Sequence, residues 1–296
     1  MKTPSGSLSR KGFRGIKVAP YLFVAPAVIY IFIVTIIPVI MALPISFTNW
    51  SALSPKRDFV GFDNYVRLFN DKAFWTSCLV MAKFFIFVPL VMLAGLGAAL
   101  LLNAKLKGIK FFRVVFYSPV ITSTIAAAIL FEYFYQPTYG LFNSILRTLG
   151  FAGLGWVENA STSVMSVIIF KVWKGFGAAM LIYLAGLQDI GGEITEAAAI
   201  DGANGWQKFR YITLPMLRPA HTYLLMTNVI GVFMIFQETY MLKGPLNSTR
   251  TVVNYIYERG FQSFQMGYAA AMSFVLFLIV MILTVFQYKV TKTDVL

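Results

Sequence analysis

The sequence predicts an all-α fold, a polytopic membrane protein with six transmembrane helices. Three observations carry that prediction. Of 296 residues, 58% are hydrophobic and only 12% are charged, where an ordinary soluble domain has about 25% charged. The charges are separated by long uncharged runs, and about 20 apolar residues suffice to cross a bilayer as a helix. Nothing shows the alternation of an outer-membrane strand, and a helix satisfies its own backbone hydrogen bonds in lipid. A water-soluble enzyme is excluded on composition alone.

The first span, 20–47, lies in the run of 38 uncharged residues between Lys17 and Lys56. Arg10, Lys11, Arg14 and Lys17 precede it like the start of a signal peptide. The apolar part is too long for one, carries Pro26, Pro38 and Pro44, and lacks a clear small-residue cleavage site, so it reads as an uncleaved helix. The second span, 75–102, contains most of the 21 uncharged residues between Lys83 and Lys105. The third, 112–135, covers the 18 between Arg113 and Glu132. The fourth, 162–187, is interrupted only by Lys171 and Lys174. The fifth, 220–240, takes in most of the 19 residues between Arg218 and Glu238, and the sixth, 268–289, lies in the 29 between Arg259 and Lys289.

Loops 48–73 and 136–160 hold aromatics and glycines and are expected to form short interfacial helices. Asn70-Asp71 and Asn159-Ala-Ser161 read as turns or caps. The organisation is thus a basic N-terminal segment 1–19, a transmembrane domain 20–289 and a C-terminal segment 290–296. With the N-terminus inside, inner segments hold 14 Lys and Arg and outer loops 8, which puts both termini in the cytoplasm. The net charge of +13 is scattered between apolar runs rather than gathered in one stripe, which argues against nucleic acid. Single residues Cys78 and His221 leave no intrachain disulfide, His-based metal site or His triad. No Gly-Lys-Ser/Thr phosphate loop is present, so the chain does not bind ATP in that mode.

The loop 188–219 is too polar for lipid. The alanines after Glu196 favour a short helix with a flat face. Gly202 permits a turn that a Cβ would resist. Asn204 can cap a second helix carrying Trp206, Phe209, Ile212 and Leu214, which Pro215 is expected to stop. The bland reading is an amphipathic helix pair on the membrane surface.

Glu196-Ala197-Ala198-x-x-Asp201-Gly202-Ala203, followed by Phe, Ile and Leu-Pro, resembles the cytoplasmic signature loop of binding-protein-dependent ABC importer permeases. Phe59-Val-Gly61-Phe-Asp63-Asn64-Tyr65 resembles the first outer loop of the sugar-type permeases. Gly244-Pro245, Thr249, Tyr255-Ile-Tyr257, Phe261 and Gly267-Tyr-Ala-Ala-Ala271 resemble the family's last outer loop and sixth helix. The resemblance covers most of the chain and points to the carbohydrate branch, near the larger maltose-type permease in six-helix form. Lys243-Gly244-Pro245 departs from it by one glycine.

The resemblance implies a translocation subunit in a bacterial cytoplasmic (inner) membrane, without chemistry on its substrate. Partners would be a second homologous permease, two cytoplasmic ATPase subunits that bind ATP and Mg, and an external solute-binding protein. This chain would hold no cofactor. Loop 188–219 would dock on the ATPase, with Glu196 in an ion pair and Gly202 shaping the turn. Alignment outward from that loop places Thr124, Lys171, Lys174, Gly175, Asn228, Val232 and Ile235 at the family's sugar site. Val232 and Ile235 stand where polar residues are usual, which implies a sugar other than maltose.

Polar groups within spans are costly, an ionised one by about 2.5–3.5 kcal/mol or more, and so are informative. Lys171 and Lys174 are three apart and share a helix face. Either would snorkel toward headgroups, pair with Glu132 or Glu238, or meet substrate, an anionic sugar included. Tyr133, Trp173, Phe236 and Tyr240 are candidates for stacking on sugar rings. The rival reading is an ion-coupled secondary transporter, which would need buried carboxylates or broken helices in paired halves. Its only intramembrane carboxylates, Glu132 and Glu238, sit near a membrane edge. A membrane enzyme is weaker, since no nucleophile–base pair or metal cluster is visible.

Overall fold

Long apolar runs become long helices, and small residues let them approach. The computed structural model describes residues 18–104 and 108–293. The basic residues up to Lys17, Lys105 and Lys107, which enter the charge argument, lie outside the described residues, as do 294–296. Helix α1 covers 18–46 and passes through a π turn at Phe32–Ile36. There the Ile37 N–H reaches back to Phe32 O, just before Pro38, which has no N–H to offer. After α2, Asp63–Asn70, helix α3 spans Lys72–Asn103. Helices α4, Ile109–Ile121, and α5, Thr124–Phe134, bend by 99° at their junction. Then come α6, Leu141–Thr148, α7, Ser163–Asp189, and α8, Gly192–Ile200. Helix α9 covers 205–216, α10 is Arg218–Phe233, α11 Gln237–Met241, α12 Val252–Tyr257 and α13 Met266–Thr293. Among the described residues the only β feature is a single Thr48–Phe59 bridge.

Helices α3 and α7 form the spine and run parallel. Gly95 lies so close to α7 that a Cβ there would sit 2.5 Å from the Ala179 Cβ. Small residues of this kind allow the close backbone approach on which helix packing in lipid depends. Leu96, Leu102, Met180, Leu184 and Leu187 form one apolar cluster toward the α8 end of this pair. Phe84, Phe87, Phe131, Tyr135 and Phe170 belong to a larger one toward the other end. By contrast, the apolar side chains of α1 from Tyr21 to Leu43 stay largely exposed, as befits a helix whose solvent is lipid.

Among the described residues, four unbroken helices are long and apolar enough to cross a membrane: Tyr21–Ser46, Lys72–Asn103, Ser163–Asp189 and Met266–Val290. The expected third span is instead the bent pair α4–α5. The expected fifth is α10, 16 residues long, followed by the irregular stretch 234–236 and α11. Of the six expected spans, four are continuous helices of sufficient length, a fifth is the bent pair, and α10 falls short of the length needed to cross on its own. The physical reason is that both breaks find side-chain partners for the backbone groups they free. The expected interfacial helices in loops 48–73 and 136–160 are α2 and α6.

Candidate functional site

Both breaks are mended by side chains from other elements. Helix α4 ends at Ile121, Thr122 is extended, and α5 begins at Thr124. The Lys174 ammonium on α7 donates to Thr122 O at 2.6 Å and Pro119 O at 3.1 Å. A cation at the carbonyl end of a helix also complements its dipole. Lys174 is thus a C-cap delivered from a neighbouring helix.

At the second break the Thr251 hydroxyl donates to Ile235 O at 2.8 Å and the Asn254 amide donates to Phe236 O at 3.3 Å. Thr251 and Asn254 are also the two halves of the capping box that opens α12. Thr239 on α11 donates to Asn254 Oδ1 at 2.6 Å. Lys171 completes the arrangement by pairing with Glu238 at 3.0 Å, with side-chain exposures of 16% and 15%. Its ammonium also lies 4.9 Å from the centre of the Phe87 ring. The two lysines of one helix face therefore serve different breaks, and α7 ties the breaks together.

Thr124 is half-buried at the first turn of α5. Asn228 is half-buried on α10 and donates to Leu224 O of its own helix at 2.8 Å. Gly175 faces α3, where a Cβ would lie 3.3 Å from Val91 Cγ2. Val232 and Ile235 are fully buried in the larger apolar cluster. Thr124, Lys171 and Lys174 thus gather around the breaks, while Gly175, Val232 and Ile235 turn into packing. Thr251 and Asn254 were missed by reasoning from spans, although Thr-x-x-Asn ahead of an apolar run is a cap signal.

The α3–α7 spine ends at a separate element. Helix α8 closes with Gly202 N–H to Ala199 O at 3.1 Å and Ala203 N–H to Ala198 O at 2.9 Å. These are the two bonds of a Schellman motif, and Gly202 takes the left-handed φ of +79° that it needs. Asn204 then opens α9 through a reciprocal capping box with Gln207. Pro215 does not stop α9, contrary to expectation. A π turn at Phe209–Thr213 sends the Leu214 N–H to Phe209 O, and helical structure runs on through Leu214–Met216. Glu196, Ala197 and Asp201 are exposed, Ala203 is half-buried, and Ala198 is buried.

At the opposite end, Asp71 caps α3 and gathers four donors. Tyr255 and Tyr268 donate to Oδ2 at 2.6 and 2.7 Å, and the Ala73 and Phe74 N–H groups donate to Oδ1. Burial pushes the carboxyl pKa up, but these four hydrogen bonds outweigh it and hold the group below its ordinary value of 3.8. Tyr255 is raised, by burial first and then by the carboxylate beside it. Arg259 donates to the Tyr255 hydroxyl at 2.9 Å and ties α12's continuation into the same cluster.

Long packed apolar helices, breaks capped by polar side chains and a compact polar element at one end define a helical membrane protein. A family model described as "Binding-protein-dependent transport system inner membrane component" matches residues 62–292. The chain is 36% identical over 283 residues to the arabinooligosaccharides transport system permease protein AraP of Bacillus subtilis, covering 93% of this chain and 89% of that one. It is 34% identical over 285 residues to the probable ABC transporter permease protein YurN of the same organism, covering 94% and 97%. The fold matches a chain of the crystal structure of a bacterial ABC transporter involved in the import of the acidic polysaccharide alginate, with a TM-score of 0.82 at 23% identity over 94% and 96% of the two chains. The protein belongs to the binding-protein-dependent transport system inner membrane component family, and is a multi-pass ABC importer permease.

Proposed function

We propose that the chain is one of two permeases of an ATP-driven sugar importer, with both termini cytoplasmic. Two ATPase subunits bind ATP and Mg, dock against 188–219 and drive alternating access. An external solute-binding protein delivers the sugar. The observation that carries this reading is the element at the end of the α3–α7 spine. Its small-residue helix is closed by backbone motifs, presents Glu196 and Asp201 to a partner, and continues directly into α10. A push on α8 and α9 therefore reaches the second break through one helix. The similarity to an arabinooligosaccharide permease supports the sugar class.

The substrate passes between the breaks, where Thr124, Lys171, Lys174 and Asn228 offer hydrogen-bonding groups. Gly175, Val232 and Ile235 form the wall behind them, and domain movement turns them toward the path. Lys174→Met and Asn228→Leu are expected to weaken uptake while the complex still assembles.

The test is the assembled complex in vesicles with its binding protein, screened against sugars, amino acids and ions for stimulation of ATPase activity. A sugar is the expected stimulant. Stimulation by a non-sugar alone, or ion-driven uptake by this chain without ATPase, would refute the reading. Labelling cysteines placed at Ser54, Ser144, Gly192 and Ser248 checks orientation, with only position 192 expected to be protected from outside.

A further inference from the structure

Where α9 meets α10, an open cavity of ≈ 320 Å³ is lined by Arg210, Leu214, Pro215, Arg218 and His221. Arg210 and Leu214 come from α9, and Arg218 and His221 from the first turn of α10. Two arginines and a histidine thus converge from two helices, and among the described residues no carboxylate lines the cavity. Both arginines are exposed, and Arg210 forms no ion pair with any described residue. The His221 ring is held in place. Its Nδ1–H donates to Leu217 O at 2.8 Å, and the ring meets Tyr183 edge to face with centres 5.0 Å apart.

The surface changes character just beyond. Tyr223 and Leu225 are exposed further along α10. Leu225 lies seven residues after Arg218 and four after His221, so it shares their face, about 10 Å beyond Arg218. Positive charge above an exposed apolar strip is the profile of a headgroup over its acyl chains, and tyrosines such as Tyr211 and Tyr223 favour that level. Guanidinium groups bind phosphate oxygens through paired N–H···O bonds, and basic pockets between membrane helices recognise anionic headgroups. A zwitterionic headgroup brings its own cation and gains less. An acidic patch on an ATPase subunit fits less well, because Leu214 and Pro215 give the cavity an apolar wall and α10 leads from it into lipid. We propose that this cavity binds the phosphate of an anionic phospholipid of the cytoplasmic leaflet, with acyl chains over Leu225. The lipid then ties α9 to α10 at the joint through which motion of the coupling element reaches the membrane. This inference rests on the orientation proposed above.

The assembled complex is reconstituted in phosphatidylcholine vesicles with a trace of photoactivatable phosphatidylglycerol or photoactivatable phosphatidylcholine, and the labelled peptides are mapped. Labelling of α1, whose side chains face lipid, is the internal reference for a folded complex. Relative to it, phosphatidylglycerol is expected to label 205–225 at least about fivefold more than phosphatidylcholine does. Arg210→Gln and Arg218→Gln should each lower that labelling roughly fivefold, and Arg210→Lys, which keeps the charge, should retain most of it. Equal labelling by the two lipids, or labelling unchanged in both Gln variants, would overturn the site. Loss of the preference on adding millimolar inorganic phosphate would assign the cavity to a free anion instead. Release of the ATPase from the Gln variants with the lipid preference intact would assign it to subunit docking. Outside labelling of a cysteine at position 192 would overturn the orientation, and with it the leaflet, whichever lipid labels the cavity.

Discussion

The end of the molecule that carries Asp71 and Thr251 and the end that carries Gly202 are held by different means. At the first, side chains meet partners distant in sequence: Asp71 with Tyr255 and Tyr268, Arg250 with Ser77, and Thr251 with the Ile235 carbonyl. At the second, the order is local and made mostly by backbone, through a Schellman turn and a capping box within 197–207. Large apolar side chains there are left out, with Ile200 87%, Trp206 69% and Tyr211 73% exposed. One end is completed by the chain itself. The other is rigid in itself but leaves an apolar, charged surface unmatched, the form expected of an element that another subunit completes and moves.

Each end contains a capping box, which makes the contrast measurable. Asn254→Leu should cost about 3 kcal/mol in thermal or denaturant unfolding of the solubilised protein. It removes the acceptor shared by the Thr251 N–H and the Thr239 hydroxyl in a buried setting, at roughly 1–3 kcal/mol for each group. Lys171→Met comes next at about 2 kcal/mol, because it leaves Glu238 without its cation. Adding Glu238→Gln should recover most of that loss in a double-mutant cycle. Asn204→Ala, at the exposed capping box, should cost only about 1 kcal/mol. If Asn204→Ala were as damaging as Asn254→Leu, the two ends would not differ as described.

The smallest effect is the pH dependence of the Asp71 cluster. A carboxyl held below its ordinary value stabilises the fold fully above that value, 3.8, and loses the contribution as pH falls through its folded-state pKa. Stability of the native protein should therefore decline in that acid range more steeply than that of Asp71→Asn. Parallel curves for the two proteins would remove Asp71 as the source.

How much of this was legible in the sequence follows from range. Local features were readable: the apolar spans, the caps at Asp71 and Asn204, and the turn at Gly202, each written in residues a few positions apart. The breaks at 122–123 and 234–236 were not, because the runs containing them carry no charge and their few polar residues read as part of a span. What permits them lies 52 residues away in Lys174 and 16 away in Thr251. Lys171 was visible as an intramembrane charge with Glu132 or Glu238 as its partner, and only the packing of α7 on α11 selects Glu238. Pro215 was read as a helix stop because its missing N–H breaks an ordinary turn, whereas the π turn before it absorbs the defect. The meeting of Asp71 with Tyr268, 197 residues on, has no local pattern at all.

The central claim is that 188–219 transmits ATP-driven motion. Glu196→Lys reverses an exposed charge, and Gly202→Val puts a Cβ on a left-handed residue at a cost of about 1–2 kcal/mol, with open space around it. Neither touches the packed spans. The deciding measurement is ATPase activity and uptake on the same reconstituted vesicles, with subunit stoichiometry determined for each variant. The account predicts that uptake falls at least about tenfold while the spans stay folded, either with the ATPase released or with ATP hydrolysis no longer answering to substrate. Native uptake with the ATPase bound in both variants would contradict it, and would leave α8 and α9 as a helix pair resting on the membrane surface.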